Sequence, residues 1–184
     1  MAGINRALHE NRRIAKINAA NQSPCIFLSH ISVDKPSAIA LGRYITTNGG
    51  IDIYLDIDDE ELQLAVSTND AAGITDFIER GLSRSTHIMC LVSADTVRSW
   101  WVPYELGFAK NAGKHLVTLK LKGEVQLPSY LEISKIIHGT ESLNEYLNRV
   151  RHSYNKIAAS MLTESLIPSF EKHHPLDRYL DWNR

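Results

Sequence analysis

The sequence predicts an α/β domain built on a mainly parallel sheet. Short, nearly continuous apolar runs occur at residues 25–30 and 87–93, and such runs are typical of strands buried on both faces. Segments with helical spacing separate these runs, and alternating strands and helices are typical of parallel sheets. The 184 residues suffice for one domain with a substantial core and an extension. We expect the strands at 25–30 and 87–93 to be central and buried.

The composition indicates a cytoplasmic protein. The formal net charge is −1, so no overall basic field would attract nucleic acid or an acidic membrane. No apolar run is long enough to span a bilayer, and the N-terminus lacks the apolar core of a signal peptide. Cys25 and Cys90 lie in apolar runs without a Cys-x-x-Cys pattern, which predicts two buried, reduced thiols.

The chain divides into three predicted parts. Residues 1–22 are polar and locally basic, and a weak apolar stripe predicts a helical arm outside the main domain, with Arg6 and its other charges solvated. Residues 23–162 form the domain, and residues 163–184 form a tail packed on it. Further strands are predicted at 51–56, 115–121 and 135–138, and helices at 36–50, 73–83, 99–113 and 143–161.

A long acidic segment, residues 57–71, follows the second predicted strand. It carries four successive carboxylates, from Asp58 to Glu61. Their spacing fits no EF-hand pattern, so we expect a solvated acidic loop and no metal site.

The segment from Ser99 to Lys110 predicts a helix that carries a candidate site. Ser99 is a plausible N-cap, and Pro103 falls in the first turn, where no intrahelical hydrogen bond is lost. Trp101, Glu105 and Phe108 share one face of this helix. On spacing alone, Glu105 reads as a surface carboxylate favoured by the helix dipole, whose replacement by Gln would barely change stability. However, ligands of parallel sheets bind outside the carboxyl ends of the strands, which puts Glu105 near a possible pocket.

Several ordered motifs resemble those of bacterial TIR (Toll/interleukin receptor) domains. The resemblance runs from Cys25 to His138 and rests on five stretches: Phe27-Leu-Ser-His30, Ser32-Val-Asp-Lys35, Tyr54-Leu-Asp56, Ser93, and Trp100 through Ala109. Such a series is far more specific than any single motif. The resemblance implies a flavodoxin-like three-layer sandwich with a five-stranded parallel sheet.

Many TIR domains of bacteria and plants cleave NAD at the nicotinamide–ribose bond. The resemblance implies that Glu105 is the catalytic glutamate and that Trp101, one turn earlier, belongs to the substrate site. It places Ser29 and His30 at the nucleotide pocket, and we add Ser32 and Asp56 from the matched motifs to the substrate-binding set. NAD is then the substrate, and we expect no cofactor and no metal.

The resemblance leaves the product and the biological role open. Capture of the ribosyl cation by water gives ADP-ribose, and capture by the same nucleotide gives a cyclic product. Proteins of similar layout act in Thoeris antiphage defence, where a cyclic ADP-ribose signal activates a separate effector protein. TIR domains also assemble through the loop that corresponds to residues 57–71, which here is longer and more acidic than usual.

Two other functions remain compatible with the sequence. One is a non-catalytic TIR adaptor that acts by self-association. The other is an enzyme similar to nucleoside deoxyribosyltransferases, which share a flavodoxin-like fold and a glutamate in a Glu-Leu-Gly context like that of Glu105. Incubation with NAD and with deoxynucleosides distinguishes the three.

Overall fold

The computed structural model describes residues 2–20, 23–123, 125–154 and 173–181. Its strands are β1 (Cys25–Ser29), β2 (Asp52–Tyr54), β3 (His87–Val92), β4 (His115–Lys120) and β5 (Lys135–His138). Its α-helices are α1 (Arg12–Ala20), α2 (Lys35–Tyr44), α3 (Glu60–Ser67), α4 (Ala71–Ser83), α5 (Trp101–Asn111) and α6 (Gly139–Tyr154).

The five strands form one parallel sheet in the order β2-β1-β3-β4-β5. Every residue of β1 and of β3 is buried, because both strands have neighbours on each side and helices on each face. The prediction of a flavodoxin-like α/β fold with these two strands at its centre is confirmed. The carboxyl ends of β1, β2 and β3 meet at one edge of the sheet, as they must in a parallel sheet.

Alternate residues of each strand feed two apolar cores, one on each face of the sheet. Ile26 and Leu28 of β1 contribute to the core beneath α2 and α6. Cys25 and Phe27 contribute to the core beneath α3, α4 and α5. The period of two along the strand thus produces the three layers. Cys25 and Cys90 are buried and free, as predicted.

The N-terminal segment is attached more closely to the domain than its polarity predicts. Asn5 forms a parallel bridge with Ile53 of β2, and Arg6 is buried, at 4% exposure. The Arg6 guanidinium donates to Asp52 at 2.8 Å. The prediction of a solvated Arg6 is wrong because Asp52 is itself buried at the edge strand, and a buried carboxylate requires a paired cation.

The acidic segment is not a solvated loop. Residues 60–67 form α3, and Asp59 is the N-cap, whose carboxylate accepts from the backbone N–H groups of Glu61 and Leu62. Asp59 is buried and also accepts the hydroxyl of Tyr54. The prediction of a loop is wrong because a run of acidic residues does not only indicate a solvated loop. Asp59 followed by Glu60 and Glu61 is also a typical helix start.

The last described residues lie on the face formed by α2 and α6. Leu176 and Leu180 are buried in that core, and the His174 ring packs at a tilt against Tyr44 with ring centroids 4.8 Å apart. The helix predicted at 143–161 is described to Tyr154; its remainder, the proposed boundary at 162–163 and Trp182 lie outside the described residues. Within the described ranges, no helix is long and apolar enough to cross a membrane.

Candidate active site

A cleft of about 630 Å³ opens at the carboxyl edge of the sheet. Its walls come from the loop after β1, the loop after β2, helices α3 and α4, and the start of α5. Five of the six predicted site residues line it: His30, Ser32, Asp56, Trp101 and Glu105. The volume falls within the usual range for small-molecule sites.

Ser29, the sixth predicted residue, lies behind Glu105. The Ser29 side chain is buried at the end of β1, and its hydroxyl donates to the Glu105 carboxyl at 2.5 Å. It therefore contacts the candidate catalytic group, whereas the cleft is lined by its neighbours along the chain. Through this bond the central strand orients a side chain of α5.

Glu105 is buried, with 4% of its surface exposed. The expectation of a surface carboxylate is wrong, because α5 packs on the sheet and turns Glu105 inward between β1 and the cleft. Burial raises the pKa of Glu105 to about 8; the Ser29 hydrogen bond lowers it, and the negative charge of Asp56 raises it. Glu105 thus titrates near neutral pH, where small changes in its surroundings alter its charge.

His30 and Asp56 form a second polar pair in the cleft. The His30 Nδ1 atom lies 3.6 Å from Asp56 Oδ1 and 3.0 Å from the backbone oxygen of Leu28. Asp56 Oδ1 is buried and has no hydrogen-bond partner in the described part of the chain. Burial raises the pKa of Asp56, and the nearby His30 lowers it. Asp56 as a residue lines the cleft, so its carboxyl is close to any ligand bound there.

The start of α5 brings two tryptophans to the rim of the cleft. The Ser99 hydroxyl accepts from the Val102 N–H at 3.1 Å, as predicted, although α5 begins at Trp101 and Trp100 holds the N-cap position. Trp101 is 41% exposed and packs edge-on against Tyr104. Trp100 is 91% exposed. Both indoles therefore border the cleft, but Trp101 is partly packed whereas Trp100 stands almost entirely in solvent.

Several cleft residues were not predicted from the sequence. Leu62, Gln63 and Val66 of α3, with Ile74 and Ile78 of α4, form one apolar side of the cleft. The α3 residues were not predicted because a loop is expected there, although Asp59 followed by Glu60 and Glu61 signals a helix start. Ile74 and Ile78 belong to the helix predicted at 73–83, where the sequence indicates only a packed apolar face. Near the same edge, the Ser93 hydroxyl donates to the buried Asp34 at 2.7 Å.

The arrangement suits chemistry that develops positive charge. The Glu105 carboxyl is buried in the wall of the cleft, and electrostatic stabilisation is strong where a charged group is shielded from water. The described residues include no group of three or more His, Cys, Asp or Glu side chains placed to hold a metal ion.

Comparison with known families agrees with this geometry. The family model described as "TIR domain" matches residues 26–151. This range covers β2 to β5, all of β1 except Cys25, and every cleft residue named above. The chain therefore belongs to the TIR domain family, whose members include enzymes that cleave NAD and commonly self-associate. No curated protein matches the chain.

Proposed function

We propose that this protein is an enzyme that cleaves NAD at the nicotinamide–ribose bond, with Glu105 as the catalytic residue. The observation that carries the proposal is the buried carboxyl of Glu105, which faces the cleft and receives the Ser29 hydroxyl. Membership of a family that contains NAD-cleaving enzymes supports the choice of substrate.

Loss of nicotinamide leaves positive charge shared between C1′ and the ring oxygen of the ribose. An ionised Glu105 stabilises this charge in the transition state and accepts hydrogen bonds from the ribose hydroxyls. Departing nicotinamide takes the electrons of the C–N bond and becomes neutral, so the leaving group needs no acid. The protein therefore needs to supply one negative charge, that of Glu105, next to the ribose.

The other cleft residues have complementary roles in this proposal. Trp101 offers an aromatic face against which the nicotinamide ring stacks. The Asp56 carboxyl, which lines the cleft, accepts a ribose hydroxyl. His30 and Ser32 bind polar groups of the nucleotide from the loop after β1. Nicotinamide, released first, leaves a ribosyl group that either water or another atom of the same nucleotide attacks, giving ADP-ribose or cyclic ADP-ribose.

We extend the proposal to self-association and to a role in antiphage defence. Three cleft residues have exposed apolar side chains: Val33, Val66 and Trp100. Leu64, on the same helix as Val66, is also exposed. Their burial in an assembly would remove apolar surface from water and close the cleft. The defence role, with a separate effector that responds to a cyclic product, rests on the TIR family membership and on the resemblance to Thoeris proteins.

The experiment that tests the proposal measures products by chromatography after incubation with NAD and, separately, with deoxynucleosides. Release of nicotinamide from NAD supports it. Exchange or hydrolysis of deoxynucleosides with NAD left intact would indicate the transferase-like alternative. If neither substrate is consumed at any protein concentration, a non-catalytic adaptor that acts by self-association is the better description.

A further inference from the structure

A second cleft, with a different lining from the first, lies between α1 and α4. Its volume is about 220 Å³, and it is lined by Arg6, Arg12, Ala15, Lys16, Glu61, Arg80 and Arg84. None of these residues lines the cleft that contains Glu105.

The lining of this cleft is strongly basic. Five of its residues are Lys or Arg and one is an acid. The whole chain, in contrast, has 20 Lys and Arg against 21 Asp and Glu. Because the positive charges converge on a concave surface, their fields add where a small anion would sit. We call this surface the basic cleft.

The floor of the basic cleft is fixed. Arg6 is bound on three sides, since it donates to Asp52, to the Arg84 backbone oxygen and to the Ser23 backbone oxygen. Its side chain is 2% exposed. Because its charge is paired with Asp52 and its donors are engaged, Arg6 forms the floor of the basic cleft, and a ligand would be bound by the other cations.

A carboxylate of the protein already occupies part of the basic cleft. Glu61 Oε1 lies 3.2 Å from Arg12, and Glu61 Oε2 lies 2.9 Å from Arg80. One anionic group thus joins two guanidinium groups from α1 and α4. Lys16 and Arg84, by contrast, have no side-chain ion pair with any residue that the structure describes. The cleft holds more cations than its own carboxylate can pair.

We propose that the basic cleft binds a small ligand through a phosphate or pyrophosphate group. The phosphate oxygens would accept hydrogen bonds from Arg80, Arg84 and Lys16, and they would compete with Glu61 for Arg12 and Arg80. Arginine forks match phosphate geometry, and charge-assisted hydrogen bonds of this kind are among the strongest in proteins.

The size and shape of the basic cleft favour a small anion over nucleic acid. The cations surround a single concavity of about 220 Å³ and do not form a stripe along the surface. A nucleic-acid backbone requires an extended basic track, and the net charge of −1 provides no general attraction for one. The ligand is therefore either a free phosphate anion or the phosphate end of a nucleotide. A nucleotide adds a ribose and a base, which could make further contacts.

The test is calorimetric titration of the full-length protein at low ionic strength with inorganic phosphate, inorganic pyrophosphate and ADP. We expect saturable binding of pyrophosphate, and Arg84→Gln and Lys16→Gln should each weaken it by about tenfold. Tighter binding of ADP than of pyrophosphate, lost in the same variants, identifies a nucleotide. Equal binding of the two identifies a free phosphate anion.

Two further variants separate a binding site from ion pairs that only join helices. Glu61→Gln removes the competing carboxylate, so pyrophosphate should bind about threefold more tightly. Arg149→Gln breaks a similar surface pair, with Glu145, outside the basic cleft and should leave binding unchanged. Melting curves establish that each variant is folded.

Four results would overturn the proposal. They are no saturable binding of any probe to the wild type, binding that Arg84→Gln and Lys16→Gln leave unchanged, no gain in Glu61→Gln, and binding of a single-stranded oligonucleotide where pyrophosphate does not bind. None of these readouts depends on enzymatic activity.

Discussion

The Ser29 hydroxyl donates a hydrogen bond of 2.5 Å to the Glu105 carboxyl, which joins the end of the central strand β1 to helix α5. Both groups are buried. This contact explains how a helix residue is oriented toward the crevice at the carboxyl edge of a parallel sheet. It also couples the charge of Glu105 to a neighbour that mutagenesis can remove, and several predictions depend on that coupling.

We expect kcat/KM for NAD cleavage to rise with pH and to reach half its maximum near pH 8. The pKa of Glu105 is raised to about 8, and only the ionised form stabilises a cationic transition state. The measurement is the pH profile of initial rates at low NAD concentration. A profile that is flat from about pH 6 to 9, or that falls through this range, would contradict the role of an ionised Glu105.

Ser29→Ala should move this midpoint to higher pH. The hydroxyl stabilises the charged carboxylate, so its loss raises the pKa of Glu105 further. Ser93→Ala is a matched control, because Ser93 donates to Asp34 at the same edge of the sheet and not to Glu105. Similar profiles for the two variants would show that the Ser29 bond does not control the titration.

Asp56→Asn should move the midpoint in the opposite direction. The negative charge of Asp56 raises the pKa of Glu105, so a neutral amide at this position lowers it. Because Asp56 also lines the cleft, we expect KM for NAD to increase as well. The pH profile of kcat/KM separates the two effects, and an upward shift of the midpoint would be inconsistent with the electrostatic coupling.

Glu105→Gln should stabilise the protein at neutral and alkaline pH. The unfolded chain releases the Glu105 proton near the ordinary glutamate pKa of 4.5, whereas burial raises this pKa to about 8 in the folded protein. Between these values the unfolded state binds fewer protons, so the free energy of unfolding falls as pH rises. Glutamine does not titrate, and the variant should gain a few kcal/mol at pH 8 and nothing near pH 4. Thermal melts at both pH values provide the measurement.

Specific activity should increase with protein concentration, because the exposed apolar rim of the cleft favours assembly. Leu64, 66% exposed on α3, does not line the cleft, so Leu64→Glu should weaken association without altering the site. Sedimentation and NAD consumption are measured on the same samples across a dilution series. Full activity per molecule in a dilute, demonstrated monomer would contradict this prediction.

The central fold was predictable because the relevant signals are local. The apolar runs of β1 and β3 and the cap at Ser99 require no knowledge of distant residues, and the motifs at Ser29, His30 and Glu105 come in a fixed order. The errors concern charged residues whose partners lie far away in sequence. Arg6 is paired with Asp52, and Asp59 accepts Tyr54, and neither contact can be read from neighbouring residues.

The burial of Glu105 illustrates the same limit. Helical spacing shows that Trp101 and Glu105 share a face, but not how far that face turns toward the sheet. Ser29 lies 76 positions away in sequence, and only the folded chain shows that the two side chains meet. The expected effect of Glu105→Gln on stability therefore differs. The sequence predicts almost no change for a surface residue, whereas the burial of Glu105 predicts a gain for the neutral variant.

The measurement that tests the central claim most directly is NAD consumption by the wild type and by Glu105→Gln, at high protein concentration and pH 8. We expect the wild type to release nicotinamide and the variant to be slower by about 100- to 1000-fold, although it is folded and melts at a higher temperature. Equal rates for the two folded proteins would remove Glu105 from the mechanism. Absence of NAD cleavage by the wild type would contradict the enzymatic function itself.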